Sequence, residues 1–94
     1  MLVLLWDASA LAKRYALEVG SEAVDALFAA LPAGQMVTTF LGYAETYSTL
    51  LRKRNRGTIS AATFRSAASF LQREILDSTD VSLLTVDDMA VLDG

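Results

Sequence analysis

The sequence contains no histidine and no cysteine. Without an imidazole there is no histidine general base, no Ser-His-Asp triad and no histidine metal ligand. Without a thiol, disulfides and zinc–thiolate sites are excluded. Excess positive charge is also lacking: the formal net charge is −3 and the pI about 4.7. No global field therefore draws the chain to nucleic acid, and any such contact has to be local. Long apolar runs are missing too, since no segment approaches the roughly eighteen residues that span a bilayer. The apolar opening Leu2 to Trp6 is too short for a signal peptide, and Asp7 interrupts it without a basic leader. A soluble, cytoplasmic protein is expected, with its chemistry left to carboxylates, hydroxyls, lysine and arginine.

What is present describes a globular chain. Of the residues 53% are apolar and 20% charged, and the apolar periods are long enough to argue against disorder. At 94 residues the chain makes one small domain, residues 1–94, and excludes a second.

The organising stretch is MLVLLWDASALAKRY, from Met1 to Tyr15. An unbroken apolar run closed by an acid reads as a strand buried on both faces that delivers Asp7 to the sheet edge. In parallel α/β sheets ligands bind outside the carboxyl ends of strands, which suits Asp7 for metal or phosphate chemistry. Asp is equally a preferred helix cap, so placement alone leaves both roles open.

Behind Asp7, Ser9 is expected to cap a first helix carrying Leu11, Ala12 and Tyr15, with Gly20 as its left-handed stop. Ser21 then caps a second helix, in which Val24, Leu27, Phe28 and Leu31 share a face, and Pro32 and Gly34 end it. Gln35 to Thr39 reads as a second strand. From Phe40 to about Arg56 the residues Phe40, Ala44, Tyr47 and Leu51 trace a helical face, widened by Tyr43 and Leu50, until Gly57 closes the helix. Ser60 caps a fourth helix with Phe64, Ala67, Ala68, Leu71 and Ile75 on one side. Asp80 to Val86 reads as a third strand, and Met89 to Leu92 as the start of another helix. The order β-α-α-β-α-α-β implies right-handed crossovers and a parallel sheet of three strands with about four helices.

Glu45 lies at the rim of the apolar face of its helix, where it is either solvated or turned into a cleft. Its helix follows the second strand directly, so parallel strands bring its first turns to the same edge as Asp7. Two carboxylates meeting there raise one another's pKa unless a cation intervenes. Mg²⁺ accepts one or two carboxylates and leaves its other positions to water and phosphate oxygens. Arg52, Lys53, Arg54 and Arg56 hold four of the eight basic residues. They either offset a helix dipole or form a phosphate-binding strip that is salt-sensitive and indifferent to sequence. Lys13 and Arg14 can add to that strip, and Ser9 can hydrogen-bond Asp7. Asp87, Asp88 and Asp93 read as residues that begin a helix rather than as ligands.

The segments DASALAKRY (Asp7 to Tyr15), Glu18, GSEAV (Gly20 to Val24), TTFLGYAE (Thr38 to Glu45), Leu51-Arg52 and Gly57 together resemble the PIN-domain family, in particular the ribonuclease toxins of VapBC toxin–antitoxin systems. The resemblance implies an α/β/α sandwich and a metal-dependent endoribonuclease in which clustered acids hold Mg²⁺ or Mn²⁺. Asp7 matches the family's first acid and Glu45 its second, so the resemblance casts both as metal-binding, catalytic residues. It further implies an RNA substrate, a small antitoxin partner and a homo-oligomer. The family places one or more further aspartates after the third strand, introduced by a DA-hydrophobic-x-hydrophobic-A segment that is not found before Gly94. The chain is therefore expected to be C-terminally truncated, with strand one left as a bare edge, and to bind metal weakly and cleave RNA poorly or not at all.

Two other function classes fit parts of the chain. A phosphotransferase of haloacid-dehalogenase type also ends strand one in an Asp, but usually has a second Asp where Ser9 stands. A non-catalytic protein-binding or oligomerisation module would use the bare sheet edge and the groove near the first two helices.

Overall fold

The computed structural model describes residues 3–84. They form β1 (Leu4–Leu5), α1 (Ala8–Tyr15), α2 (Ser21–Ala30), β2 (Met36–Thr39), α3 (Phe40–Asn55), α4 (Ala61–Ile75) and β3 (Val81–Leu84). The acids Asp87, Asp88 and Asp93 and the helix start expected at Met89 lie outside the described residues.

The strands form one parallel sheet in the order β1-β2-β3, as the alternation of strands with helix pairs predicts. Leu4 stands beside Met36 and Leu5 beside Val37, while Met36 faces Val81 and Thr39 faces Leu84. Both crossovers step the same way across the sheet, so right-handed connections place both helix pairs on one face. The packing agrees, since α1 touches α2, α3 and α4.

This one-sided layering corrects the expectation that strand one is buried on both faces. Side chains alternate across a strand, and those of Trp6, Met36, Thr38 and Val81 turn to the helices and are buried. On the other face Val3 is 47% and Leu5 60% exposed. Among the described residues β1 is an edge strand carrying one helix-covered side.

The core between sheet and helices is built on Leu11, Met36, Leu50, Leu71, Ile75 and Val81, each at most 2% exposed. Burying such a side chain contributes about 1.5–3 kcal/mol. Trp6 stacks on Phe28 of α2 with ring centroids 5.1 Å apart. Arg14 and Tyr15 tie α1 to its neighbours. The Arg14 guanidinium forks onto Glu74 of α4 at 3.1 and 3.0 Å and reaches Asp25 of α2 at 2.9 Å. The Tyr15 hydroxyl donates to Glu74 at 2.8 Å.

Three details of the helices differ from the sequence reading. Asp7, not Ser9, is the N-cap of α1. The first helix stops at Tyr15, and Gly20, with φ of 97°, is instead the N-cap of α2; Ser21 is already helical and is buried. The third difference is the inward face of α3, which consists of Gly42, Thr46 and Leu50, while Phe40 and Tyr47 are 57% and 41% exposed. Thr46 is tolerated inside because its hydroxyl donates to the Gly42 carbonyl at 2.7 Å, which removes the cost of an unpaired buried hydroxyl. The expected cap at Ser60 is present, accepting from Thr63 N–H, and Thr39 caps α3 by accepting from Gly42 N–H.

Candidate active site

The site lies where the carboxyl ends of β1 and β2 meet the first turns of α1 and α3. Trp6 N–H donates to the Val37 carbonyl at 2.8 Å, so the chain stays paired to β2 up to the residue before Asp7. Asp7 then leaves the sheet and turns back onto its own helix. Its Oδ1 accepts from Ala10 N–H at 2.8 Å and from the Ser9 hydroxyl at 3.1 Å. The cap and the candidate ligand are thus the same carboxylate, held by one oxygen, while Oδ2 has no hydrogen bond to protein among the described residues.

The amide of Ala10 and then the hydroxyl of Ser9 hold the Asp7 carboxyl below the usual carboxylate range, with a smaller contribution from Lys13. Asp7 is exposed and ionised at neutral pH.

Glu45 reaches the same place by a different route. α3 follows β2 without a break, and a close approach at Gly42 seats its first turn on the strand ends. A Cβ built at Gly42 lies 2.7 Å from Thr38 Oγ1, 3.2 Å from Thr39 Oγ1 and 3.8 Å from the Trp6 carbonyl oxygen. No side chain fits there without a shift of buried atoms. With Gly42, Thr46 and Leu50 turned inward, Glu45 falls on the flank of that face, one turn into the helix.

Asp7 and Glu45 together line two adjoining hollows. The larger, about 760 Å³, adds Ser9, Glu18, Thr49, Arg52 and Lys53 to the pair. The smaller, about 320 Å³, adds Leu5, Trp6, Thr39, Leu41 and Gly42. Among the described residues no group of three or more histidine, cysteine, aspartate or glutamate side chains is clustered closely enough to hold a metal ion. Asp7 and Glu45 are thus two candidate carboxylate ligands, hard oxygen donors of the kind that Mg²⁺ or Mn²⁺ takes.

The four basic residues do not stay together. At roughly 100° per residue a helix spreads near-consecutive positions around its axis. Arg52 and Lys53 border the larger hollow, whereas Arg54 and Arg56 are not among its lining residues. Arg52 donates to the Thr49 hydroxyl at 3.0 Å. Lys53 pairs with Glu18 at 2.7 Å. The Arg54 guanidinium sits over the Phe64 ring of α4, 5.7 Å from its centroid, and Arg56 is the C-cap of α3. Arg14, a candidate addition to the strip, is committed instead to Glu74 and Asp25.

Sequence reasoning gave no role of its own to Glu18, Ser48 and Thr49, which also line the larger hollow. For Ser48 and Thr49 a signal exists: with Glu45 and Arg52 they form the flank next to the Gly42, Thr46, Leu50 face. Glu18 is marked only by its place in the resemblance, and its contact with Lys53 forms only once the loop after α1 folds back on α3.

No helix of the described residues is long and apolar enough to cross a membrane. Neither a protein-family model, nor a curated protein, nor a solved structure matches this chain.

Proposed function

We propose that the chain is a metal-dependent endoribonuclease of the PIN-domain toxin type, acting in the cytoplasm. The observation that carries this reading is the convergence of Asp7 and Glu45, distant in sequence, on the same hollows at the carboxyl edge of a parallel sheet. The two carboxylates are the residues that would hold Mg²⁺ or Mn²⁺. When bound, such an ion lowers the pKa of water and polarises a phosphoryl oxygen. Ser9 fixes the Asp7 carboxylate by its hydroxyl. Arg52 and Lys53 supply cations for phosphates flanking the scissile one, a positioning role without base preference. Among the described residues no third carboxylate joins the pair; two carboxylates alone hold an ion weakly, and slow cleavage is expected of them. A small antitoxin-like partner and self-association belong to the same reading.

A second reading, a protein-binding module without catalysis, draws on Leu17 and Val19, which are 91% and 93% exposed in the loop beside the larger hollow. Metal-dependent RNA cleavage that is lost in Asp7→Asn separates the two, because both readings admit assembly and only the nuclease reading requires cleavage.

Trp6, the single tryptophan, precedes Asp7 and provides the test of the main reading. Titration with Mn²⁺ is expected to quench Trp6 fluorescence saturably, and slow cleavage of single-stranded RNA is expected to depend on Mn²⁺ or Mg²⁺. Both are lost in Asp7→Asn and Glu45→Gln. Quenching and cleavage that persist unchanged in these variants overturn the assignment.

A further inference from the structure

The loop between α1 and α2 buries Ala16 at its start and turns Glu18 toward the larger hollow. Leu17 and Val19 on either side of Glu18 are almost wholly exposed, whereas Glu18 lines the larger hollow. Its backbone is fixed at both ends: Glu18 N–H donates to the Ser21 hydroxyl at 2.9 Å, and Ser21 N–H donates to the Glu18 carbonyl at 3.0 Å. Its carboxylate meets Lys53 Nζ at 2.7 Å, with side-chain exposures of 34% and 22%. Lys53 in turn is in helical step with Thr46 and Leu50, so its stem runs along the inward side of α3 and its ammonium emerges into the hollow.

A carboxylate and a phosphodiester are the same kind of partner for an ammonium group, each an anionic oxygen acceptor. Lys53 has one such acceptor already, supplied by the chain itself. We propose that Lys53 is a phosphate-binding residue of the hollow and that Glu18 is its internal competitor, so that RNA gains the Lys53 contact only as the α1–α2 loop gives up this one. The inference rests on reading the hollow as an RNA site and names a device that regulates it. Arg52, which has no carboxylate partner among the described residues, is ready for a phosphate without such an exchange. A pair this exposed competes only modestly, at the level of a few-fold in affinity.

The test is a double-mutant cycle on binding of a short fluorescein-labelled single-stranded RNA, followed by anisotropy at low salt with EDTA present so that no cleavage intervenes. Glu22→Gln, an exposed acid of α2 outside the hollow, measures the effect of removing one negative charge. Lys53→Met is expected to weaken binding. Glu18→Gln is expected to tighten it about threefold beyond Glu22→Gln, and this surplus disappears when Lys53 is already Met. Circular dichroism confirms that each variant is folded. Equal effects of Glu18→Gln and Glu22→Gln, or a surplus that survives in the Lys53→Met background, overturn the competition while leaving the RNA site in place. Absence of RNA binding by every variant overturns the RNA reading and this inference with it.

Discussion

The hydroxyl of Thr38, wholly buried, donates to the carbonyl oxygen of Trp6 at 3.1 Å. The bond joins the end of β2 to the residue that follows β1, at the point where one strand releases Asp7 and the other runs into α3. The same Thr38 oxygen is the atom nearest to a Cβ placed at Gly42. Strand end, strand end and helix start therefore share one contact, and the spacing between the two acids depends on it.

Thr38→Val keeps the shape of the side chain and removes the donor. We expect a loss of about 1–2 kcal/mol, the cost of leaving a buried acceptor without its partner. Gly42→Ala forces buried atoms apart and is expected to cost about 1–3 kcal/mol. Urea midpoints followed by Trp6 fluorescence measure both, and a Gly42→Ala variant as stable as the parent contradicts the close approach.

Asp7 caps α1 and is the proposed metal ligand, and substitution can separate the two. Asn caps helices about as well as Asp, whereas Ala loses about 0.5–2 kcal/mol. Asp7→Asn is thus expected to keep stability and lose metal quenching and cleavage, and Asp7→Ala to lose all three. The carboxyl is held below its ordinary range by Ala10 N–H and the Ser9 hydroxyl. Its contribution to stability is therefore complete above the ordinary aspartate pKa and disappears as the pH falls through the lower folded value. Stability curves against acid pH should be shallower for Asp7→Asn than for the parent.

At the opposite end of α1, burial and then the charge of Glu74 hold the Tyr15 hydroxyl well above the ordinary tyrosine range. The unfolded chain releases this proton near pH 10 and the folded chain does not. Stability is therefore expected to fall above that pH, and Tyr15→Phe removes this part of the fall while costing about 1 kcal/mol at neutral pH. Alkaline unfolding of the two proteins, compared by circular dichroism, is the measurement.

Arg14 is expected to tolerate no replacement, including lysine. Its fork takes both oxygens of Glu74, and its plane lies over Phe28 and Phe70 at 4.5 and 5.2 Å. Lysine keeps the charge and loses the paired geometry and the stacking. We expect Arg14→Lys to cost about 1.5–3 kcal/mol, in the range of hydrogen bonds to charged groups. A change in Tm indistinguishable from zero contradicts this.

The strands, the helix pairs between them and the parallel sheet were legible because apolar runs and helical periods alternate cleanly. Ser60 and the face Ala67, Leu71, Ile75 were legible because cap and period agree. The inward face of α3 was not, because hydropathy favours Phe40 and Tyr47 over Gly42 and Thr46. What decides the matter is a local one: a glycine is needed where the helix meets two threonines, and a threonine one turn on can bond back to the glycine carbonyl. The cap of α1 is ambiguous in the sequence because Asp7 and Ser9 are both capping residues two positions apart, and only the backbone path out of β1 decides between them. Convergence of Asp7 with Glu45 followed from strand order, whereas the division of the basic residues followed from helix rotation, and the Glu18–Lys53 contact from tertiary closure that no spacing announces.

The double duty of Asp7 couples two things that mutation usually treats apart. Any change that tilts α1 re-aims the acid by the same amount, because its Oδ1 is tethered to the amide of Ala10. Redesigning the reach of this carboxylate therefore means moving the whole first helix with its docking against α3, and drift in that docking is registered first in where the carboxylate points.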